Sequence, residues 1–174
     1  VFDMAAYALL TDGESGAPRV SDDAAQNYVN LAIDGLDKSY TLPKDRAKAE
    51  IIMGVLGIDT TKLYPVNSNA AVDNAAKLTQ MAAQADPYAA PYVLLADLQG
   101  NAGLTSEQVN SLIGVLKANM GTGLFSYERN GVTYASPDTA GAALAALAKY
   151  YETNADAEMV ADAILKALPG AMNE

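Results

Sequence analysis

The side chains here that can do chemistry are carboxylates, lysines, tyrosines and hydroxyls, because the 174-residue chain has no histidine and no cysteine. That absence removes zinc sites of the Cys/His kind, Cys-His and Ser-His-Asp nucleophilic systems, and histidine acid–base catalysis. Clustered carboxylates remain, since one kept protonated in an apolar cavity can deliver a proton to a substrate. Asp22-Asp23 is the only adjacent acidic pair, and behind Ser21 it reads more simply as favourable charge in the first turn of a helix. Asp138 stands alone just inside another helix start, where it complements the dipole or meets a ligand. The other candidates are aromatic. Phe125, Tyr127 and Tyr134 sit in a glycine-broken stretch, and Tyr7 and Tyr92 sit near apolar helical segments. Tyrosine rings combine large area with a polar tip and suit stacking on a flat or cyclic ligand. The plainer reading is that the loop aromatics staple their ribbon to the helix ends and the helical tyrosines pack in a core. No catalytic set is visible, no metal-ligand set either, and no cofactor is implied.

The elements that must position these residues follow from periodicity. Met4 to Leu10 reads as a short helix, apolar on every side, ended by Thr11-Asp12-Gly13. Ser21 caps a second, amphipathic helix running to about Asp37, with Tyr28, Leu31, Ala32 and Gly35 on its apolar face. Pro43 suits a first helical position, and the helix behind it is apolar all round beyond Glu50, stopping near Gly57 and Asp59. Asn69 or a near neighbour starts the next, with Ala71, Ala75, Leu78 and Ala82 along one face. Pro87 and Pro91 break the chain before an apolar run from Tyr92 to Leu98. Thr105-Ser106-Glu107-Gln108 is a capping box opening an amphipathic helix with Val109, Leu112, Ile113 and Leu116 inward. Asn130-Gly131, flanked by Phe125/Tyr127 and Val132/Tyr134, signals a β-hairpin near residues 124–134. Pro137 begins an Ala/Leu helix ending near Tyr150-Tyr151. A last amphipathic helix carries Val160, Ala163, Ile164 and Ala167 and stops at Pro169-Gly170.

Eight helices thus alternate between apolar all round and one-sided. A helix apolar on every side must be covered on every side, while a one-sided helix covers one neighbour and faces water. This predicts an all-α fold in an inner and an outer layer of αα-hairpins, with Leu144→Asp severely destabilising. The leucines near the ends of the inner helices, Leu10, Leu56, Leu98 and Leu147, recur at 46, 42 and 49 residues, a period typical of helical-hairpin arrays. The whole chain, 1–174, reads as one domain.

Composition narrows the partners. With 21 acidic and 11 basic residues the net charge is −10, and no Lys/Arg stripe interleaves with aromatics, which argues against nucleic acid. Apolar residues make up 51%, but no run reaches the roughly 18 needed for a membrane span. The start, Val1-Phe2-Asp3-Met4, lacks the layout of a signal peptide and begins inside what reads as a helix, so the chain is expected to be a piece of a longer protein. Absence of cysteine does not fix the compartment.

Gly121-Thr122-Gly123-Leu124-Phe125, then Ser136-Pro137-Asp138-Thr139-Ala140, then Ala142 to Leu147 resemble the hairpin junction of the α/α-toroid of terpenoid cyclases and protein prenyltransferases. Ala5-Ala6-Tyr7-Ala8-Leu9 and Ala90-Pro91-Tyr92-Val93-Leu94-Leu95 look like weaker inner-helix copies. Among such proteins the likeness is to non-catalytic bacterial surface proteins with prenyltransferase-like repeats, similar in turn to the helical domain of cobalamin-binding intrinsic factor and transcobalamin. The resemblance implies an α/α-toroid, or a curved αα-hairpin array whose ring is open or truncated. It implies a secreted or cell-surface binding or adhesion module whose ligand is a glycan, a protein or a small molecule. The candidate contacts are Phe125, Tyr127, Tyr134, Asp138, Tyr92 and Tyr7. Alternatives are a cobalamin-like carrier and a terpene-cyclase-like enzyme. The second lacks the Asp-x-Asp-Asp motif of that class, and zinc-dependent prenyl transfer lacks its histidine and cysteine ligands.

Overall fold

The computed structural model describes residues 22–65, 68, 70–98 and 102–171. Among them are seven α-helices and one two-stranded antiparallel sheet: α1 (Asp22–Lys38), α2 (Pro43–Val55), α3 (Asn74–Met81) with a 3-10 turn at Ala82–Gln84, α4 (Ala90–Leu98), α5 (Ser106–Asn119), β1 (Ser126–Arg129), β2 (Val132–Ala135), α6 (Pro137–Leu147) and α7 (Ala155–Ala171). The expected first helix, Met4 to Leu10, lies outside the described residues, as do Ser21 and Asn69.

Packing follows the alternation in apolar character. The apolar helices touch in succession, α2 on α4 and α4 on α6. Each also meets the helix that follows it, as α2/α3, α4/α5 and α6/α7, while α5 touches both α7 and the 3-10 turn, and α1 lies on α2. Small residues line this packing. Ala90 and Ala96 of α4 and Ala140, Ala143 and Ala146 of α6 are all completely buried, and such residues let helix axes approach toward the short end of the usual ~8–10 Å. Leu94, Leu112, Ile113, Leu116, Leu147, Ile164 and Phe125 supply the volume of the same core. A second cluster joins Val29, Ala32, Ile33 and Leu36 of α1 to Ala49 and Met53 of α2 and to Leu63 and Val72.

Local signals explain most boundaries. The capping box is formed: the Thr105 hydroxyl accepts from Gln108 N–H, and Gln108 Oε1 accepts from Thr105 N–H. The inward face of α5 is Val109, Leu112, Ile113 and Leu116, as periodicity predicts. Gly57 takes φ +70° just past α2 and its C-cap Leu56, so the expected stop is where a left-handed residue ends the helix.

Other expectations are corrected. Leu31 is 73% exposed, because the face of α1 that meets α2 is Val29, Ala32, Ile33 and Leu36, the i, i+3, i+4, i+7 set lying one step to its side. Helix α3 starts at Asn74, capped by Asp73 accepting from Ala76 N–H at 2.8 Å, so Ala71 falls outside it and is exposed. Pro91 does not break the chain. It is the second residue of α4, where a missing amide proton costs nothing. Helix α6 ends at Leu147, well before Tyr150-Tyr151, and Asn154 then caps α7 through its Oδ1. Helix α7 passes through Pro169 to Ala171. Nor is α6 covered all round: Gly141 and Ala145 are exposed, and Leu144 is only half-buried.

The sensitive position on α6 is therefore Leu147. Leu147→Ala is expected to cost about 2–5 kcal/mol in denaturant unfolding, and Leu144→Ala clearly less. Equal losses would mean that the two leucines are equally covered.

Candidate functional site

Helices α2 and α6 open on Pro43 and Pro137, α4 carries Pro91 as its second residue, and their first turns come together. Lys44 and Lys48 of α2 each place Nζ 5.0 Å from the centre of the Tyr92 ring on α4. The Tyr92 phenol is held above its ordinary pKa, first by burial and then by the negative charge of Asp138 on α6. The two ammoniums also act on each other: burial and Lys44 lower the Lys48 pKa, and Asp45 opposes them. A strip running from cation through aromatic ring to carboxylate thus crosses the starts of three helices.

The hairpin stands at the same end, leading directly into α6. Asn130 and Gly131 take φ 55° and 75°, the left-handed pair that a two-residue turn between twisted strands requires. Strand register pairs Tyr127 with Tyr134, and their rings stack with centroids 5.5 Å apart and planes 22° from parallel. Both remain exposed, at 42% and 44%. Three contacts hold the base of the ribbon. Phe125, 1% exposed, plugs into the core just before β1. The Ser136 N–H donates to the Phe125 carbonyl at 2.6 Å, and the Tyr88 hydroxyl donates to the Ser126 carbonyl. The loop before the ribbon presses on α7 at Gly123 (φ +109°), where a Cβ would come 2.2 Å from the Ala163 carbonyl oxygen.

The candidate residues therefore separate. Tyr127 and Tyr134 form an exposed pair, while Tyr92 and Asp138 share the strip with Lys44 and Lys48. Phe125 offers no face to a ligand, since its ring is spent as an anchor. Asp138 is exposed in the first turn of α6, and Ser136 does not cap that helix with its side chain, its hydroxyl lying instead 2.7 Å from that of Thr139. Tyr7 lies outside the described residues. Among the described residues no group of three or more acidic side chains is placed to hold a metal ion, and no helix is long and apolar enough to cross a membrane.

Two clefts open elsewhere, around the turn between α6 and α7. One of about 510 Å³ is walled by Leu144, Ala148, Ala161 and Leu165, with Lys149 and Glu152 also lining it. The other, about 290 Å³, includes Asp97, Asn110, Tyr150 and Asn154. Tyr150 is half-buried against the core and Tyr151 is exposed. The Tyr150 phenol is pushed up to about 12 by burial first and by the Asp97 carboxylate second, whose Oδ2 is 3.4 Å from the hydroxyl.

The least legible group is a buried polar network. Glu50 is fully buried; its Oε1 meets the Thr60 hydroxyl and its Oε2 accepts from Asn74 Nδ2 at 2.6 Å. Asn74 Oδ1 accepts from Arg46 at 3.2 Å, and Arg46 also donates to the Leu36 carbonyl at 2.9 Å. The four polar residues come from α2, the α2–α3 loop and the start of α3. The i, i+4 spacing of Arg46 and Glu50 was the available signal; nothing in the sequence marked Thr60 or Asn74 as their partners.

Compared with protein-family models, with curated proteins and with solved structures, the chain matches none of them.

Two outcomes follow from the geometry. Gly123→Ala is expected to lower the melting temperature sharply, because the obstacle is backbone. Tyr150 keeps its proton in the fold beyond the pH at which the unfolded chain loses it. Its contribution is thus complete below about pH 10 and declines as pH rises toward about 12. Tyr150→Phe should flatten alkaline melting curves over that interval, and an unchanged slope would assign the loss to other groups.

Proposed function

We propose that this chain is a non-catalytic binding or adhesion module of a secreted or cell-surface bacterial protein, engaging its ligand through the rim on which the ribbon stands. The observation that carries the reading is the stacked, exposed Tyr127–Tyr134 pair on a ribbon pinned at three points. A pinned aromatic pair loses little conformational freedom on binding, which is what preorganisation contributes to affinity. Phe125 supports the reading as the anchor of that platform, and Tyr92, Asp138, Lys44 and Lys48 extend it with charges of both signs.

The architecture proposed with it is an α/α-toroid or curved αα-hairpin array, with α2, α4 and α6 as the inner row and α1, α3, α5 and α7 as the outer one. The succession α2–α4–α6, flanked by the contacts of α5 with α7, supports that arrangement, and the Gly-x-Gly-x-Phe junction of the resemblance falls at the ribbon. An inner row whose first turns gather at one end makes that end a continuous surface, which is where a ligand spanning several hairpins would lie.

Screening the protein against an immobilised glycan panel and against cobalamin tests the reading. Binding to a panel member should fall at least tenfold in Tyr127→Ala and Tyr134→Ala, with the far-UV spectrum and melting temperature little changed because both rings are exposed. Binding that survives the double substitution would remove the ribbon from the site. A cobalamin spectral shift without glycan binding would favour a carrier instead.

A further inference from the structure

Glu50 is a carboxyl group sealed from solvent, and among the described residues no cation pairs with it. Its two oxygens are taken by the Thr60 hydroxyl and the Asn74 amide, both themselves fully or almost fully buried. The orientation of Asn74 is settled by its partners. Its Oδ1 accepts from the Arg46 guanidinium, so its Nδ2 must be the end that faces Glu50, and the same nitrogen donates to the Arg46 carbonyl at 3.3 Å. Arg46 therefore reaches Glu50 only through an amide, and neither residue takes part in the ion pairs formed among the described residues. An ionised carboxylate buried in that way carries a desolvation cost that the hydrogen bonds from Thr60 and Asn74 offset only in part, whereas a neutral carboxylic acid satisfies the same partners by donating to the Thr60 oxygen.

We infer that Glu50 is a proton-carrying clasp for the corner where α1, α2 and α3 meet: the neutral acid closes the network, and loss of its proton as pH rises loosens that corner. The clasp is placed to act on all three elements. Through Thr60 it holds the α2–α3 loop, whose Thr60 carbonyl accepts from the Asn74 N–H at 2.9 Å. Through Asn74 it holds the first residue of α3, and through Asn74 and Arg46 it reaches the Leu36 carbonyl near the end of α1. Charged groups facing the carboxyl strengthen its hold on the proton. Asp73 at the start of α3 and Asp59 in the loop both act in that direction, after burial itself, while the hydrogen bonds from Thr60 and Asn74 oppose it. Helix α4, packed on another part of α2, brings Tyr92 to Lys44 and Lys48 and no charge to Glu50.

Below the ordinary carboxyl range both folded and unfolded chains hold the proton, and the network is at full strength. As pH rises, the unfolded chain releases its proton first, so stability falls until the folded-state midpoint is passed and then levels off. Each unit between the two midpoints shifts the opening equilibrium by about tenfold.

Melting curves of the wild type and Glu50→Gln from pH 4 to pH 8 test this. The wild type should lose stability as pH rises through the weakly acidic range, and Glu50→Gln, which mimics the neutral acid, should lose markedly less. Parallel profiles for the two proteins would overturn the proposal. Should Glu50→Gln fail to fold, the wild type alone still decides. The Glu50 side-chain carboxyl carbon, followed by NMR, should titrate clearly above the ordinary glutamate midpoint of about 4.3, and a midpoint at or below it would overturn the proposal. Hydrogen exchange at the Asn74 amide, corrected for its intrinsic pH dependence, should accelerate over the same interval, while Ile113 in α5 stays protected. Equal acceleration at both would overturn the assignment to this corner.

Discussion

Helix α4 has no fully exposed residue. In its nine residues Ala90, Pro91, Val93, Leu94 and Ala96 are buried, and α2, α5 and α6 all pack on it. A segment that apolar is stable as a helix only when neighbours cover it, because its backbone pairing alone is marginal at that length. The neighbours are in turn limited in what they can present. Close approach requires small residues, and α6 supplies Ala140, Ala143 and Ala146. Much of the rest follows from that packing: the helices that cover α4 and its apolar neighbours need be apolar on only one side, and the connections between helices run over their ends. The aromatic ribbon and the proline-led helix starts are found at one such end.

That end concentrates polar and aromatic groups that the body of the fold excludes. First turns are where acidic side chains and prolines are favoured, and Asp138 and the three prolines are placed accordingly. The lysines on α2 belong there for another reason, since their long stems reach the Tyr92 ring while their charges stay at the edge. The ribbon shares the economy of the scaffold: one buried aromatic, Phe125, secures two exposed ones.

The buried network works against the apolar logic of the core. Replacing such a group with packed hydrophobic residues is often neutral or better for stability, while removing one partner is costly. Its presence in the α1–α2–α3 corner ties together a loop and two helix ends that the small local cluster of Val29, Ala32, Ile33 and Leu36 holds less extensively than the main core holds α4 to α7. Arg46 Nε has no partner there, so even this network is not fully satisfied. Such a corner is open to adjustment by protonation in a way that α4 and α6 are not.

The sequence by itself determined which of the described segments are helical, which of them are the more apolar, the capping box at Thr105 and the turn at Asn130-Gly131. Those depend on local periodicity and on backbone chemistry within a few residues. It located the ribbon tyrosines for the same reason, because alternation about an Asn-Gly turn is a local signal. Only the tertiary structure decided that Phe125 is an anchor while Tyr127 and Tyr134 are exposed, that Leu31 faces water, and that Leu144 is half-covered while Leu147 is not covered by water at all. Each of these depends on which neighbour arrives at a given face, and helical periodicity leaves that angle uncertain by about one residue position. The Glu50 network lay furthest from reach. Its partners are 10 and 24 residues away in the chain, and a glutamate on a helix reads as a solvent-facing charge until a fold removes the solvent.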